Sequence, residues 1–160
     1  MKTVNLINLT NAATQAAGQV AQLLDVNLDK VYVGGSLALV LQEVINREVH
    51  DIDIIVKTTN PEKYAAVLSA HNNLSHLKME LQRPSEGERY SYIVGNLQID
   101  GTVYPINVIL DTSVDSLSRE RIGNTYLQHP TMIKWAKMSY KPQRLKDIKD
   151  IKAIIRWEDK

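Results

Sequence analysis

Apolar positions recur along this chain in two periods, 3.6 and 2, and the switches between them predict an order of elements. Ala13, Ala16, Ala17, Val20, Leu23 and Leu24 fall at helical spacing. A helix is therefore expected over about Ala12 to Leu24, capped by Thr10 or Asn11, with alanines that allow close packing on a sheet. Val31-Tyr32-Val33 is a short strand, and Ser36 to about Ile45 is a second helix, apolar over most of its surface and so central. Asp51-Ile52-Asp53-Ile54-Ile55-Val56 is a second strand, rich in β-branched residues. Asn60, Pro61 and Glu62 form the start signal of a third helix that ends near Ala70 to Asn73. His76 to Gln82 alternates apolar with polar as a half-buried strand does. Tyr90 to Leu110 predicts further strands, broken by turns at Gly95-Asn96 and Asp100-Gly101, with Pro105 marking an edge or a bulge. From about Asp111 the pattern gives an irregular stretch and two helices, opened by Pro130 and Pro142.

This order predicts an α+β (α/β-like) fold, a small mixed β-sheet with helices packed on it. Residues 1–115 are expected to form the core and 116–160 a C-terminal helical extension packed on it, within a single compact domain. At 160 residues and 44% hydrophobic content the chain can bury such a core, although Phe is absent and Leu, Ile, Val and seven Tyr must fill it. No cysteine occurs, which excludes a disulfide scaffold and thiolate zinc sites and fits a reducing cytoplasm. The first fifteen residues lack the apolar run of a secretory signal, and nothing reaches the ~18 apolar residues of a membrane span. A soluble, cytoplasmic protein is expected.

The net charge of +1 is unevenly distributed. Lys134 to Lys160 holds nine basic and four acidic residues, against ten and fourteen in the remainder. A solvated helix face or a surface for phosphate would each account for the basic tail.

The chemistry concentrates between Lys30 and Val56. Asp51 and Asp53, one residue apart in a strand, point to the same face. Their flanks are apolar, so either they are solvated on an exposed strand face or a divalent cation compensates them, with hard oxygen ligands. Gly34-Gly35-Ser36 lies between the first strand and its helix, where backbone N–H groups can approach an anion closely. A phosphate cradle and a metal pair thus flank one helix.

Gly-Gly-Ser, a helix, then Asp-Ile-Asp in a hydrophobic strand resembles the signature of the nucleotidyltransferase superfamily, the DNA polymerase beta-like fold. The resemblance implies phosphate contacts at Gly34, Gly35 and Ser36, and Mg²⁺ (or Mn²⁺) ligands at Asp51 and Asp53. Fourteen residues separate Ser36 from Asp51, at the long end of the family range. The family also places a third acid on a strand beside the Asp-Ile-Asp strand. Here that position falls on Asn107, which offers a carbonyl oxygen and no charge, with Asp100 and Asp111 as the nearest carboxylates. Toward the end of the chain, Lys137 followed by Arg144-Leu145-Lys146-Asp147-Ile148-Lys149-Asp150 is similar to the ending of minimal bacterial nucleotidyltransferases, including the abortive-infection kind. There the helical lysine reaches the nucleotide phosphates, which implies that role for Lys137, with Lys134 second. By spacing alone, Asp147 and Asp150 share a helical face and could pair with Arg144 or Lys137. The four histidines, His50, His71, His76 and His129, lack metal-ligand spacing, and Trp135 and Trp157 read as core or interface.

The resemblance implies a metal-dependent transfer of a nucleoside monophosphate from an NTP to an RNA, protein or small-molecule hydroxyl. The alternative is a catalytically degenerate member acting as a nucleotide-binding or partner-binding module, which Asn107 favours.

Overall fold

A computed structural model describes residues 3–49, 51–70, 80–82, 89–99, 101–111, 119–139 and 142–160. The helices are α1 (Thr3–Leu24), α2 (Gly35–Leu41), α3 (Pro61–Ala70), α4 (Pro130–Met138) and α5 (Leu145–Glu158). The strands are β1 (Val31–Gly34), β2 (Ile52–Lys57), β3 (Glu80–Gln82), β4 (Arg89–Ile99), β5 (Thr102–Asp111), β6 (Glu120–Ile122) and β7 (Thr125–Leu127). They build one mixed sheet in the order β3-β4-β5-β2-β1-β7-β6. β2 runs antiparallel to β1 and parallel to β5, and β7 is parallel to β1. This is the α+β architecture expected from the pattern and from the nucleotidyltransferase resemblance.

Strand alternation divides the residues between two faces. Val31, Val33, Ile52, Ile54, Val56, Ile106, Val108 and Leu110 are buried in one cluster with Ala12, Ala13, Ala16, Ala17 and Val20 of α1. The alanines bring the helix close to the sheet, as their spacing predicts. The opposite face carries Gly34, Asp53 and Asn107 in one row, since Gly34 pairs with Asp53 and Asp53 with Asn107. A smaller cluster of Ala38, Leu39, Ile133 and Ile154 fastens α2 to α4 and α5. No helix among the described residues is long and apolar enough to cross a membrane.

Several local expectations are corrected. α1 begins at Thr3 rather than Ala12, and the Thr10 hydroxyl donates to the Leu6 carbonyl inside the helix instead of capping it. α2 ends at Leu41, short of Ile45, in a Schellman motif. Glu43 N–H donates to the Val40 carbonyl and Val44 N–H to that of Leu39, while Glu43 takes φ 60°, a conformation usually left to glycine. Gly95 does not turn the chain: β4 runs through it with a bulge between Ile93 and Gly95. Pro105 does lie at a local edge, because β2 joins β5 only from Ile106 onward. α3 is capped as expected, with Asn60 Oδ1 accepting from Lys63 N–H at 3.3 Å. The His76–Gln82 strand is described only from Glu80. The stretch after Asp111 contains the β6–β7 hairpin, so residues of the extension enter the sheet beside β1. α5 starts at Leu145, with Arg144 rather than Pro142 at its N-cap.

Candidate active site

The site is built where β1 runs into α2. Gly35 has φ +62°, and a Cβ placed on it would strike the Asp53 carboxylate, meeting its Cγ at 3.1 Å. The missing side chain is therefore the space into which Asp53 folds, directly against the glycine bend. Gly35, Ser36, Asp51 and Asp53 line a cleft together with Lys137, Arg144 and Lys146. The two acids therefore share a face and look onto the bend, as their spacing predicts.

Asp51 is exposed just ahead of β2, and Asp53 is half-buried within it. Asn107 Nδ2 donates to Asp53 Oδ1 at 3.0 Å, as its register opposite Asp53 allows. Burial pushes the Asp53 carboxyl above the ordinary carboxylate range; the Asn107 hydrogen bond pulls it down, the Asp51 charge pushes it up, and Lys137 and Arg144 pull it down again. Among the described residues no ammonium or guanidinium lies within ion-pairing distance of either acid. A hard cation fits this pair, since it would meet oxygen donors, one of them in surroundings that disfavour its charge and that a cation would offset. Among the described residues no third acid or histidine completes a metal cluster with them. Asp111 is buried at the far end of β5, opposite Lys57 and four residues beyond Asn107, ~13 Å along the strand. That distance removes it as the third acid. Asp100 and His50 lie outside the described residues.

Lys137 is buried on α4, with Nζ 3.2 Å from both Asp147 Oδ1 and Asp150 Oδ2 and 3.5 Å from Ser36 Oγ. Lys134 points elsewhere, to Glu158 at 2.7 Å across α4 and α5. Of the two candidate lysines the structure puts Lys137 in the cleft. Asp147 and Asp150 both pair structurally, as their helical spacing allows. His129 caps α4 through Nδ1, which accepts from Thr131 N–H, and stacks edge-on against Trp157. Trp135 remains exposed on α4.

Asp147 is fully buried, shielded less by depth than by the Lys137 and Arg144 side chains laid over it. Burial raises its pKa, but bonds from the Arg144 side chain and backbone and from Lys137 outweigh that, leaving it at about 2. A carboxyl depressed in the folded state stabilises the fold above its unfolded pKa of 3.8, and this is lost as pH falls through about 2. The loss amounts to about 2 kcal/mol. Urea unfolding followed between pH 5 and pH 2 is expected to show it, and Asp147→Asn to flatten that slope by one proton.

Sequence reasoning missed Arg47. It sits in the loop before β2, yet its Nη2 lies 2.6 Å from Asp150 Oδ2 and 2.7 Å from Ser36 Oγ. The residues it joins are 11 and 103 positions away, a separation that no local pattern reports.

No protein-family model matches the chain, and no curated protein matches it. Two solved structures are similar in fold. One is the Megavirus polyadenylate synthase, at 11% identity over 96% of this chain and 34% of that one, with a TM-score of 0.46. The other is a Thermotoga maritima protein assigned as a nucleotidyltransferase, at 23% identity over 72% of this chain and 63% of that one, with a TM-score of 0.34. The chain spans about a third of the first and less than two thirds of the second. At these levels the likeness is one of chain path, with no bearing on metal, substrate or acceptor.

Proposed function

We propose that this chain is a metal-dependent nucleotidyltransferase that moves a nucleoside monophosphate from an NTP to an acceptor hydroxyl. The observation that carries the reading is the cleft itself, where an acid pair and a glycine–serine bend face a basic wall of Lys137, Arg144 and Lys146. Such a division of charge suits a polyphosphate whose far end needs cations and whose reacting end needs metal.

In this reading Asp51 and Asp53 hold Mg²⁺ or Mn²⁺. When bound, the ion neutralises charge that develops on the transferring phosphate. The backbone N–H groups of the bend at Gly34, Gly35 and Ser36 would bind the triphosphate, and Lys137 and Arg144 would hold its β and γ phosphates. The acceptor hydroxyl oxygen bonds to the α-phosphorus and its proton passes to solvent water, the bond from that phosphorus to the bridging oxygen of the β-phosphate breaks, and pyrophosphate leaves with the electron pair. Asn107 keeps the Asp53 carboxylate in place through its hydrogen bond and contributes no charge of its own. The acceptor is an RNA, protein or small-molecule hydroxyl, and the cytoplasm is the setting.

The test is incubation with α-labelled NTPs and Mg²⁺ or Mn²⁺, with the protein alone and with total RNA. Label transfer that disappears in an Asp51→Ala, Asp53→Ala double variant supports the reading, and absence of nucleotide binding overturns it.

Asn107 favours a second reading, a degenerate enzyme that binds nucleotide without transfer or that acts through a partner protein. Asn107→Asp separates the two. A third carboxylate opposite Asp53 adds like-charge repulsion, so without divalent ions the variant is expected to melt at a lower temperature. With Mg²⁺ its transfer rate is expected to rise about tenfold or more, as a metal ligand with full charge would give. An unchanged rate would remove position 107 from the metal centre.

A further inference from the structure

The cleft's basic wall contains buried acids, which an anion site would normally avoid. Asp147 and Asp150 are 0% and 2% exposed and both lie 3.2 Å from Lys137 Nζ. Left between two carboxylates, Lys137 would be neutralised before any phosphate arrived. Arg144 answers for Asp147, gripping it with Nε at 2.9 Å and Nη2 at 3.1 Å. Arg47 answers for Asp150, with Nη2 at 2.6 Å from Oδ2 and Nε at 3.3 Å from Oδ1.

We infer that Arg47 is a positioning residue that neutralises Asp150 and so leaves the Lys137 charge available to a phosphate chain. This deepens the nucleotidyltransferase reading and rests on it. Counting the five ionised side chains, Arg47, Lys137 and Arg144 against Asp147 and Asp150, the cluster carries +1. Without Arg47 it carries none, and Lys137 is held by an Asp150 that has no other cation. Arg47 also orders the Ser36 hydroxyl. Nη2 donates to Ser36 Oγ at 2.7 Å, and that hydroxyl donates onward to Asp150 Oδ2 at 3.2 Å. One guanidinium thus fixes a corner shared by the bend, α4 and α5. It lies four residues ahead of Asp51, so the same contact anchors the loop that delivers the acid pair.

The experiment measures affinity for inorganic tripolyphosphate and for Mg–ATP by calorimetry, with thermal melting on every variant. Arg47→Ala is expected to bind both about tenfold more weakly, the effect of one charge at a half-shielded site. Arg47→Lys keeps the charge and loses the fork, and should stay within about threefold of the wild type. The deciding variant is Arg47→Ala combined with Asp150→Asn, which restores the +1 cluster. It should recover most of the lost affinity even though it lacks both partners of the ion pair, whereas a merely structural role predicts that it binds no better than Arg47→Ala. If Arg47→Ala fails to fold, Arg47→Gln, alone and with Asp150→Asn, measures the same charge at nearly constant size. Affinity unchanged in Arg47→Ala, or no recovery in the double variant, overturns the inference. A wild-type protein that binds neither probe overturns the nucleotidyltransferase reading instead.

Discussion

Asp53→Asn is expected to cost about a thousandfold or more in nucleotidyl transfer and, at the same time, to raise the melting temperature near neutral pH. The two effects share a cause. Burial, reinforced by the Asp51 charge, raises the Asp53 pKa against the opposing pull of Asn107, Lys137 and Arg144. A carboxyl whose folded pKa lies above its unfolded value favours the fold only while protonated. That contribution is complete below 3.8 and is lost as pH rises through the folded pKa, so ionising the group opposes folding. Asparagine removes the charge and keeps an oxygen to accept from Asn107 Nδ2. A residue that merely packs would give the opposite pairing, with stability and activity falling together. Mg²⁺ or Mn²⁺ supplies an independent readout. Each should raise the wild-type melting temperature by binding the folded state and leave the variant unmoved, and an equal shift in both would remove Asp53 from the metal site.

Much of this arrangement could be anticipated because it is local. The strand, the glycine bend, α2 and the Asp-Ile-Asp strand lie between Val31 and Lys57, and period-2 alternation alone sets Asp51 and Asp53 on one face. The pairing of Asn107 with Asp53 followed once β5 was laid beside β2. Short or atypical elements were hidden. β6 and β7 have three residues each, too few for alternation to register, and only the Gly123-Asn124 turn between them marks a hairpin. The end of α2 was overestimated because Glu43 occupies the left-handed position where a glycine would have announced a stop. Gly95 carries a turn signal, but β4 absorbs it as a bulge, since pairing with β5 resumes on the other side.

The basic wall was legible only in part. Lys137 could be singled out by its spacing from Asp147, but the choice over Lys134 depended on which side of α4 faced α2. That orientation is set by Ile133 entering the cluster with Ala38, Leu39 and Ile154. Arg47 could not be found at all, because a polar loop residue gives no periodic signal and its partners lie on elements that meet only in the folded chain.

Gly35→Ala is expected to be among the most damaging single-methyl changes in this chain. Alanine pays about 1–2 kcal/mol to hold a left-handed conformation, and forcing a methyl into an occupied site costs about 1–3 kcal/mol more. Together these predict a destabilisation of about 2–5 kcal/mol, read as a lowered urea midpoint. The new Cβ meets the head of Asp53, so the carboxylate must leave the bend, and transfer should fall with stability. Gly34→Ala bears on softer neighbours, the ends of Ile55 and Gln128, which can move aside. Gly18 sits inside α1, where an added methyl would meet nothing within 4 Å, so Gly18→Ala should instead stabilise by about 0.5–1 kcal/mol. The same chemical change thus carries opposite signs at two glycines, and the difference isolates the approach of Asp53 to the bend. If Gly35→Ala proved as mild as Gly18→Ala, Asp53 could not be seated against that backbone in solution, and the acid pair would have lost the wall that makes it a site.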